Sequence, residues 1–169
     1  MPRKLLEVFD FIDDTLCDEI ISYGQNEIKQ QGKLYTGQTN TQLRNNRIVW
    51  YKDSKKYQQW TNYLKEFDAS IDWIETPQIS YYLPGEYFEL HTDQQEGSKR
   101  THIRKLTLTA NLQTADEGCI EVLGKKYAEM KKGQAVVFES SCQHRAISPT
   151  AGERISFTIW GMAKNPSKR

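Results

Sequence analysis

Three residues of this chain could hold a metal ion together: His91 and Asp93, with one residue between them, and His144 much further along. Two imidazoles and one carboxylate are the set that holds ferrous iron on one face and leaves the opposite positions open for oxygen and an organic cosubstrate. Arg154 follows His144 by ten positions. Its planar fork suits a bidentate grip on a remote carboxylate, which a 2-oxoacid with a second carboxylate would present.

The triplet alone carries little weight. With three His and nine Asp in 169 residues, a His-any-Asp triplet arises by chance in roughly one such chain in six. Its setting adds the rest. Residues two apart share a face when the backbone is extended, so His91 and Asp93 can converge on one metal only if the segment is extended. Residues 78–83 and 86–91 are rich in aromatic and β-branched side chains and flank Pro84 and Gly85, which reads as strand, turn, strand.

Two later segments alternate cleanly. Leu106, Leu108, Ala110 and Leu112 interleave with Thr107, Thr109 and Asn111, and Ile155, Phe157 and Ile159 interleave with Arg154, Ser156, Thr158 and Trp160. A sheet with its apolar face on helices and its polar face in water gives this pattern. A barrel whose polar faces line a pocket gives it too. Arg154 and Trp160 on the polar side favour the pocket, because a large indole is rarely left fully in water.

Other elements position these strands. Residues 5–11 suggest a strand, and Asp13 or Asp14 can cap a helix through about Gln30, with Leu16, Ile20, Ile21 and Ile28 on one side and Gly32 closing it. Residues 33–47 read as a loop or irregular hairpin, long enough to suggest a role. A second helix spans about Ser54 to Phe67, with Tyr57, Trp60, Tyr63, Leu64 and Phe67 at helical spacing. The pattern then changes to short strands, His102 reads as a loop residue, and the tail 164–169 looks disordered.

In order, Tyr82 to Gly85, His91 to Asp93, Arg104 to Thr107 leading to Asn111 and Leu112, Gly118 to Ile120, Gly133 to Phe138, His144, and Gly152 to Ser156 through Trp160 resemble the 2-oxoglutarate- and iron-dependent oxygenases of the prolyl 4-hydroxylase type. The resemblance covers about residues 78–162. It implies an α+β, mainly β chain: a double-stranded β-helix (jelly-roll) core with N-terminal helices packed on one sheet. It also implies Fe(II) on His91, Asp93 and His144, with Arg154 anchoring the far carboxylate of 2-oxoglutarate. Tyr82, Ser156, Asn111 and Trp160 are expected beside the cosubstrate. Two positions depart from the family pattern. Asn111 stands where many relatives have Tyr, which bears on how the cosubstrate is held, and Glu117 with Gly118 stands where they have paired glycines. The metal set is untouched by either.

The implied reaction uses O2, with ascorbate as an accessory reductant, and releases succinate and CO2 while a C–H bond is hydroxylated. A prolyl residue in a peptide or protein is the expected target. Another amino-acid residue or a small molecule is the alternative. Oxidative demethylation of nucleic acid is disfavoured, since relatives of that kind carry a second Arg six positions after the first and here Trp160 stands there. A non-catalytic jelly-roll binding protein would leave the conjunction of Arg154 with an open ligand set unexplained. In the cluster Lys99, Arg100, Arg104 and Lys105, the two arginines are the candidates to rim the substrate entrance; the bland reading is a solvated face.

Length fits one domain over residues 1–169, with helical support over about 1–76 and a catalytic core over about 77–163. A net charge of +1 argues against a dedicated nucleic-acid or membrane surface. The N-terminus lacks the apolar stretch and cleavage site of a signal peptide. Cys17, Cys119 and Cys142 are odd in number and lack paired metal-ligand spacing, as reduced cytoplasmic thiols would. Oligomeric state leaves no trace in the sequence.

Overall fold

The computed structural model describes residues 3–34, 37–94 and 98–168. In chain order the elements are β1 (Phe9–Asp10), α1 (Asp14–Gln25), β2 (Gln30–Gln31), β3 (Arg44–Asn45), β4 (Arg47–Trp50), a 3-10 turn (Ser54–Lys56), α2 (Tyr57–Lys65), β5 (Trp73–Ile74), β6 (Gln78–Tyr82), β7 (Tyr87–His91), β8 (His102–Gln113), β9 (Cys119–Val122), β10 (Lys125–Lys126), β11 (Gln134–Glu139), β12 (His144–Ile147) and β13 (Arg154–Lys164). The strands form two antiparallel sheets, β1-β11-β8-β13-β6-β4-β2 with β5 also on β13, and β10-β9-β12-β7-β3. This is the expected jelly roll. β6 and β7 do not pair with each other. Gly85, at φ +88°, turns the chain between them, and its N–H donates to Ser148 Oγ at 2.7 Å. The turn thus carries the chain from one sheet to the other.

The two faces of β8 and β13 separate core from cavity. Leu106, Leu108, Ala110 and Leu112 pack with Ile155, Phe157 and Ile159 against Cys17 and Ile20 of α1 and Trp60 and Leu64 of α2. Each such fully buried aliphatic or aromatic side chain contributes about 1.5–3 kcal/mol. The alternate residues face the second sheet. Strand register lines them up: Trp160 lies opposite Thr107, Thr158 opposite Thr109 and Ser156 opposite Asn111, while Arg154, Ser156 and Thr158 lie opposite Tyr82, Ser80 and Gln78 of β6.

Several expectations need correction. α1 begins as read, with Asp13 accepting from the Leu16 N–H at 2.8 Å, but it stops at Gln25. Asn26 ends it by donating from Nδ2 to the Ser22 carbonyl, so Gly32 lies beyond the helix and Ile28 is 90% exposed. The N-terminal strand shrinks to Phe9–Asp10 because Leu6 takes φ 67° and leaves extended geometry. Residues before 77 supply more than helical support, since five of the strands come from them. Of the 33–47 segment, residues 35 and 36 lie outside the described residues; its end forms β3 and the start of β4. The tail is docked through Lys168: Asn165 is buried and donates to the carbonyls of Ser98 and Arg100. His102 opens β8 instead of a loop and meets Asp72 at 2.9 Å.

Gly133 ties the N-terminal arm to the larger sheet. Its carbonyl accepts from the N–H groups of Phe11 and Ile12, and its own N–H donates to the Asn111 carbonyl at 2.7 Å. Its φ is +82° and an added Cβ would collide with the Ile12 carbonyl. Gly133→Ala therefore combines left-handed strain with a backbone clash, and loses about 2 kcal/mol or more of unfolding free energy in urea titration. An unchanged midpoint would contradict this packing.

Candidate active site

β7 and β12 bring the two histidines together, because His91 and His144 are direct cross-strand partners. Asp93 lies two residues past His91, where the chain leaves the strand and its N–H donates to the Ser140 carbonyl at 2.9 Å. One ligand atom from each of the three residues falls within 4.8 Å of the others. His91 Nε2 is 3.4 Å from Asp93 Oδ1 and His144 Nε2 is 3.3 Å from Asp93 Oδ2.

The remaining atoms of these side chains are already engaged. Nδ1 of His91 meets the Glu89 carbonyl at 2.6 Å and Nδ1 of His144 meets the Cys142 carbonyl at 3.0 Å. A carbonyl only accepts, so each Nδ1 carries the hydrogen and each Nε2 keeps its lone pair for a metal. Asp93 Oδ2 accepts from the Thr107 hydroxyl at 2.9 Å and from the Trp160 indole N–H at 3.0 Å. These two donors fix the carboxylate's rotation. Phe88 stacks on His91 at 3.5 Å between ring centroids, and Phe138 packs against His144 at 4.8 Å.

Electrostatics fit a cation at this point. Burial opposes ionisation of Asp93, yet His144 and His91 hold its carboxyl well below the usual range. Burial lowers His91, with Asp93 pulling the other way. For His144 burial also pulls downward, but Asp93 outweighs it and the ring's affinity for protons is raised above the ordinary 6.5. A metal must displace that proton, so Fe(II) affinity falls by up to about tenfold per pH unit once the pH drops below the raised value. Titrations at pH 8 and pH 6 check this; equal affinities would contradict the proton competition.

Arg154 is 1% exposed. Its Nε donates to Asn111 Oδ1 at 3.2 Å, its guanidinium carbon lies 5.6 Å from the Tyr82 ring centroid, and its Nη2 has no partner among the described residues. A guanidinium stays charged even when burial disfavours it, so this is a dry cation with a donor left open among the described residues. A carboxylate would complete it.

A cavity of about 650 Å³ joins this cation to the metal-type cluster, with Tyr82, Ser156, Thr158 and Trp160 on its wall. Asn111 is corrected: it does not line the cavity but sits behind Arg154 and donates from Nδ2 to the Met130 carbonyl at 2.8 Å. Arg100 and Arg104 do line it. Arg104 forms a fork-to-carboxylate pair with Glu75 at 3.0 and 3.2 Å and lies 3.8 Å over the Trp160 ring. Sequence reading passed over Thr107 as a partner of Asp93, although its place on the polar face signalled the cavity. It also missed Arg44, Glu75 and Gln78, whose roles depend on partners far away in the chain.

Residues 77–162 match the model of the 2OG-Fe(II) oxygenase superfamily. A search of curated proteins finds no match. Among solved structures, a viral collagen prolyl hydroxylase from Paramecium bursaria Chlorella virus-1, in its 2OG complex, is 23% identical with a TM-score of 0.71, covering 95% of this chain and 97% of that one. A prolyl-4-hydroxylase from Pseudomonas putida is 18% identical with a TM-score of 0.72, covering 94% and 92%. A Trichoplax adhaerens prolyl hydroxylase, solved with a hypoxia inducible factor peptide, is 15% identical with a TM-score of 0.68, covering 93% and 83%. At these identities the likeness shows a shared fold.

Proposed function

The chain belongs to the 2OG-Fe(II) oxygenase superfamily, and we propose that within it the chain hydroxylates a prolyl residue of a peptide or protein. One observation carries the oxygenase site assignment: a buried arginine whose Nη2 has no partner among the described residues faces the same cavity as a His-Asp-His cluster. In this reading His91, Asp93 and His144 hold Fe(II), and Arg154 pairs with the far carboxylate of 2-oxoglutarate. Bound iron with 2-oxoglutarate and O2 supplies oxidation of a C–H bond, giving succinate, CO2 and a hydroxylated product.

The chain's own residues do the positioning. Asn111 orients Arg154 from behind, while Tyr82 and Ser156 form the wall beside it. Thr107 and Trp160 keep Asp93 turned toward the two imidazoles, and Ile120, Phe138 and Ala146 give the cavity an apolar lining that excludes water. The prolyl target is supported by the fold shared with three prolyl hydroxylases. We read residues 1–169 as one domain. Three free cysteines support a reducing, cytoplasmic setting, and no helix among the described residues is long and apolar enough to cross a membrane.

Incubation with Fe(II), 2-oxoglutarate and proline-containing peptides, followed by mass spectrometry, is expected to find one added oxygen on proline matched by succinate. Succinate release with every proline unmodified, and oxygen found on another residue, would overturn the prolyl assignment.

A further inference from the structure

Arg44 is a second buried cation on the cavity wall, at the other end of β6 from Arg154. It is 6% exposed, and its partners are all neutral: Nε donates to Asn46 Oδ1 at 2.8 Å, Nη1 to the Lys33 carbonyl at 2.7 Å and Nη2 to Gln78 Oε1 at 2.7 Å. Its guanidinium carbon lies 4.4 Å from the centroid of Phe88, the ring that stacks on His91. Each terminal nitrogen has a second hydrogen, and among the described residues neither finds an acceptor.

A buried charge is normally paired, because desolvation without a counter-ion is costly. Among the described residues the other buried charges have counter-charges once metal and cosubstrate are bound. Glu75 balances Arg104, and with a divalent metal and dianionic 2-oxoglutarate bound the charges of Asp93, metal, cosubstrate and Arg154 would sum to zero. Among the described residues Arg44 is left without a counter-ion, and Lys33 and Arg100 on the same wall add further positive potential. Gln78, which holds Arg44, and Tyr82, which faces Arg154, are four residues apart on one face of β6, about 13 Å along the strand. Arg44 therefore marks an anion site separate from the one at Arg154.

We propose that the substrate carries a carboxylate, gripped by the two remaining N–H groups of Arg44, next to the atom presented to the metal site. This rests on the oxygenase reading above and specifies its substrate class. The carboxylate could belong to an Asp or Glu side chain of a peptide or to a small carboxylic acid, and the two sources separate experimentally.

Gln78→Glu is the informative variant. It keeps the acceptor oxygen beside Nη2 and supplies Arg44 with an internal counter-ion, so the network survives while the site is neutralised; an unchanged thermal midpoint confirms folding. The anaerobic protein loaded with Fe(II) and 2-oxoglutarate is titrated calorimetrically with proline peptides matched except for Glu or Asp against Gln or Asn, and in a second arm with N-acetylproline against N-acetylprolinamide. In one arm the acid is expected to bind at least tenfold more tightly than its amide, and Gln78→Glu is expected to remove most of that difference. Arg44→Lys should keep part of it, having charge without the fork. Equal binding of acid and amide, binding in neither arm, or a preference that survives Gln78→Glu would overturn the proposal. Substrate-free succinate release by the unsubstituted protein tests the oxygenase reading separately, and its absence would sink that reading whatever the binding preference.

Discussion

Asp93→Ala is expected to reduce 2-oxoglutarate turnover to background and to weaken Fe(II) binding by well over a hundredfold. Losing an outer-shell partner of a metal ligand typically costs 10–100-fold in affinity or activity, and here a ligand itself and its charge are removed. The change also strips the acceptor from the Trp160 indole N–H, at about 1–3 kcal/mol for that group left unsatisfied, while the Thr107 hydroxyl keeps Ser140 Oγ as a partner at 2.9 Å. Asp93→Asn separates the two effects. The amide keeps an acceptor oxygen and the side-chain shape, so the protein should stay folded, yet a neutral amide is a poor ligand for Fe(II) and turnover should still be lost. Iron titration and circular dichroism on both variants check this, and full succinate production by either would remove Asp93 from the metal site.

Arg154→Ala is expected to leave Fe(II) affinity nearly unchanged and to raise the Michaelis constant for 2-oxoglutarate at least tenfold. Truncating one partner of a desolvated charge pair costs about 2–5 kcal/mol, and Arg154 is buried with Nη2 unpaired among the described residues. Arg154→Lys should restore part of the affinity, since an ammonium keeps the charge but not the fork. The substitution also frees Asn111 Oδ1, while that residue's bond to the Met130 carbonyl keeps the side chain in place. Loss of iron together with normal 2-oxoglutarate binding after metal is restored would make Arg154 a structural residue.

Much of the site was legible in the sequence because strand periodicity is local. His91 and Asp93 are two apart, and the alternation from Leu106 to Leu112 and from Arg154 to Trp160 told which side chains share a face. Whether that face met water or a cavity was decided by Trp160, whose N–H reaches Asp93. What was not legible depends on partners distant in sequence. Arg44 gains its meaning from Lys33 and Gln78, and His102 from Asp72. Strand alternation gives Asn111 its face but not its depth, because the approach of Arg154 to its amide is tertiary. Periodicity overextends α1 for a related reason: Ile28 continues the helical period, while the termination lies in Asn26 turning back on Ser22.

In the proposed function His91, Asp93, His144 and Arg154 together form a working Fe(II) and 2-oxoglutarate site. Its most direct test is the stoichiometry of succinate formed to 2-oxoglutarate consumed by the purified protein, with Fe(II) and O2 supplied and then with each withheld. Slow substrate-free turnover at one succinate per 2-oxoglutarate is expected, lost when either is withheld. Fe(II) bound at that site with no 2-oxoglutarate consumed under any of these conditions would contradict it.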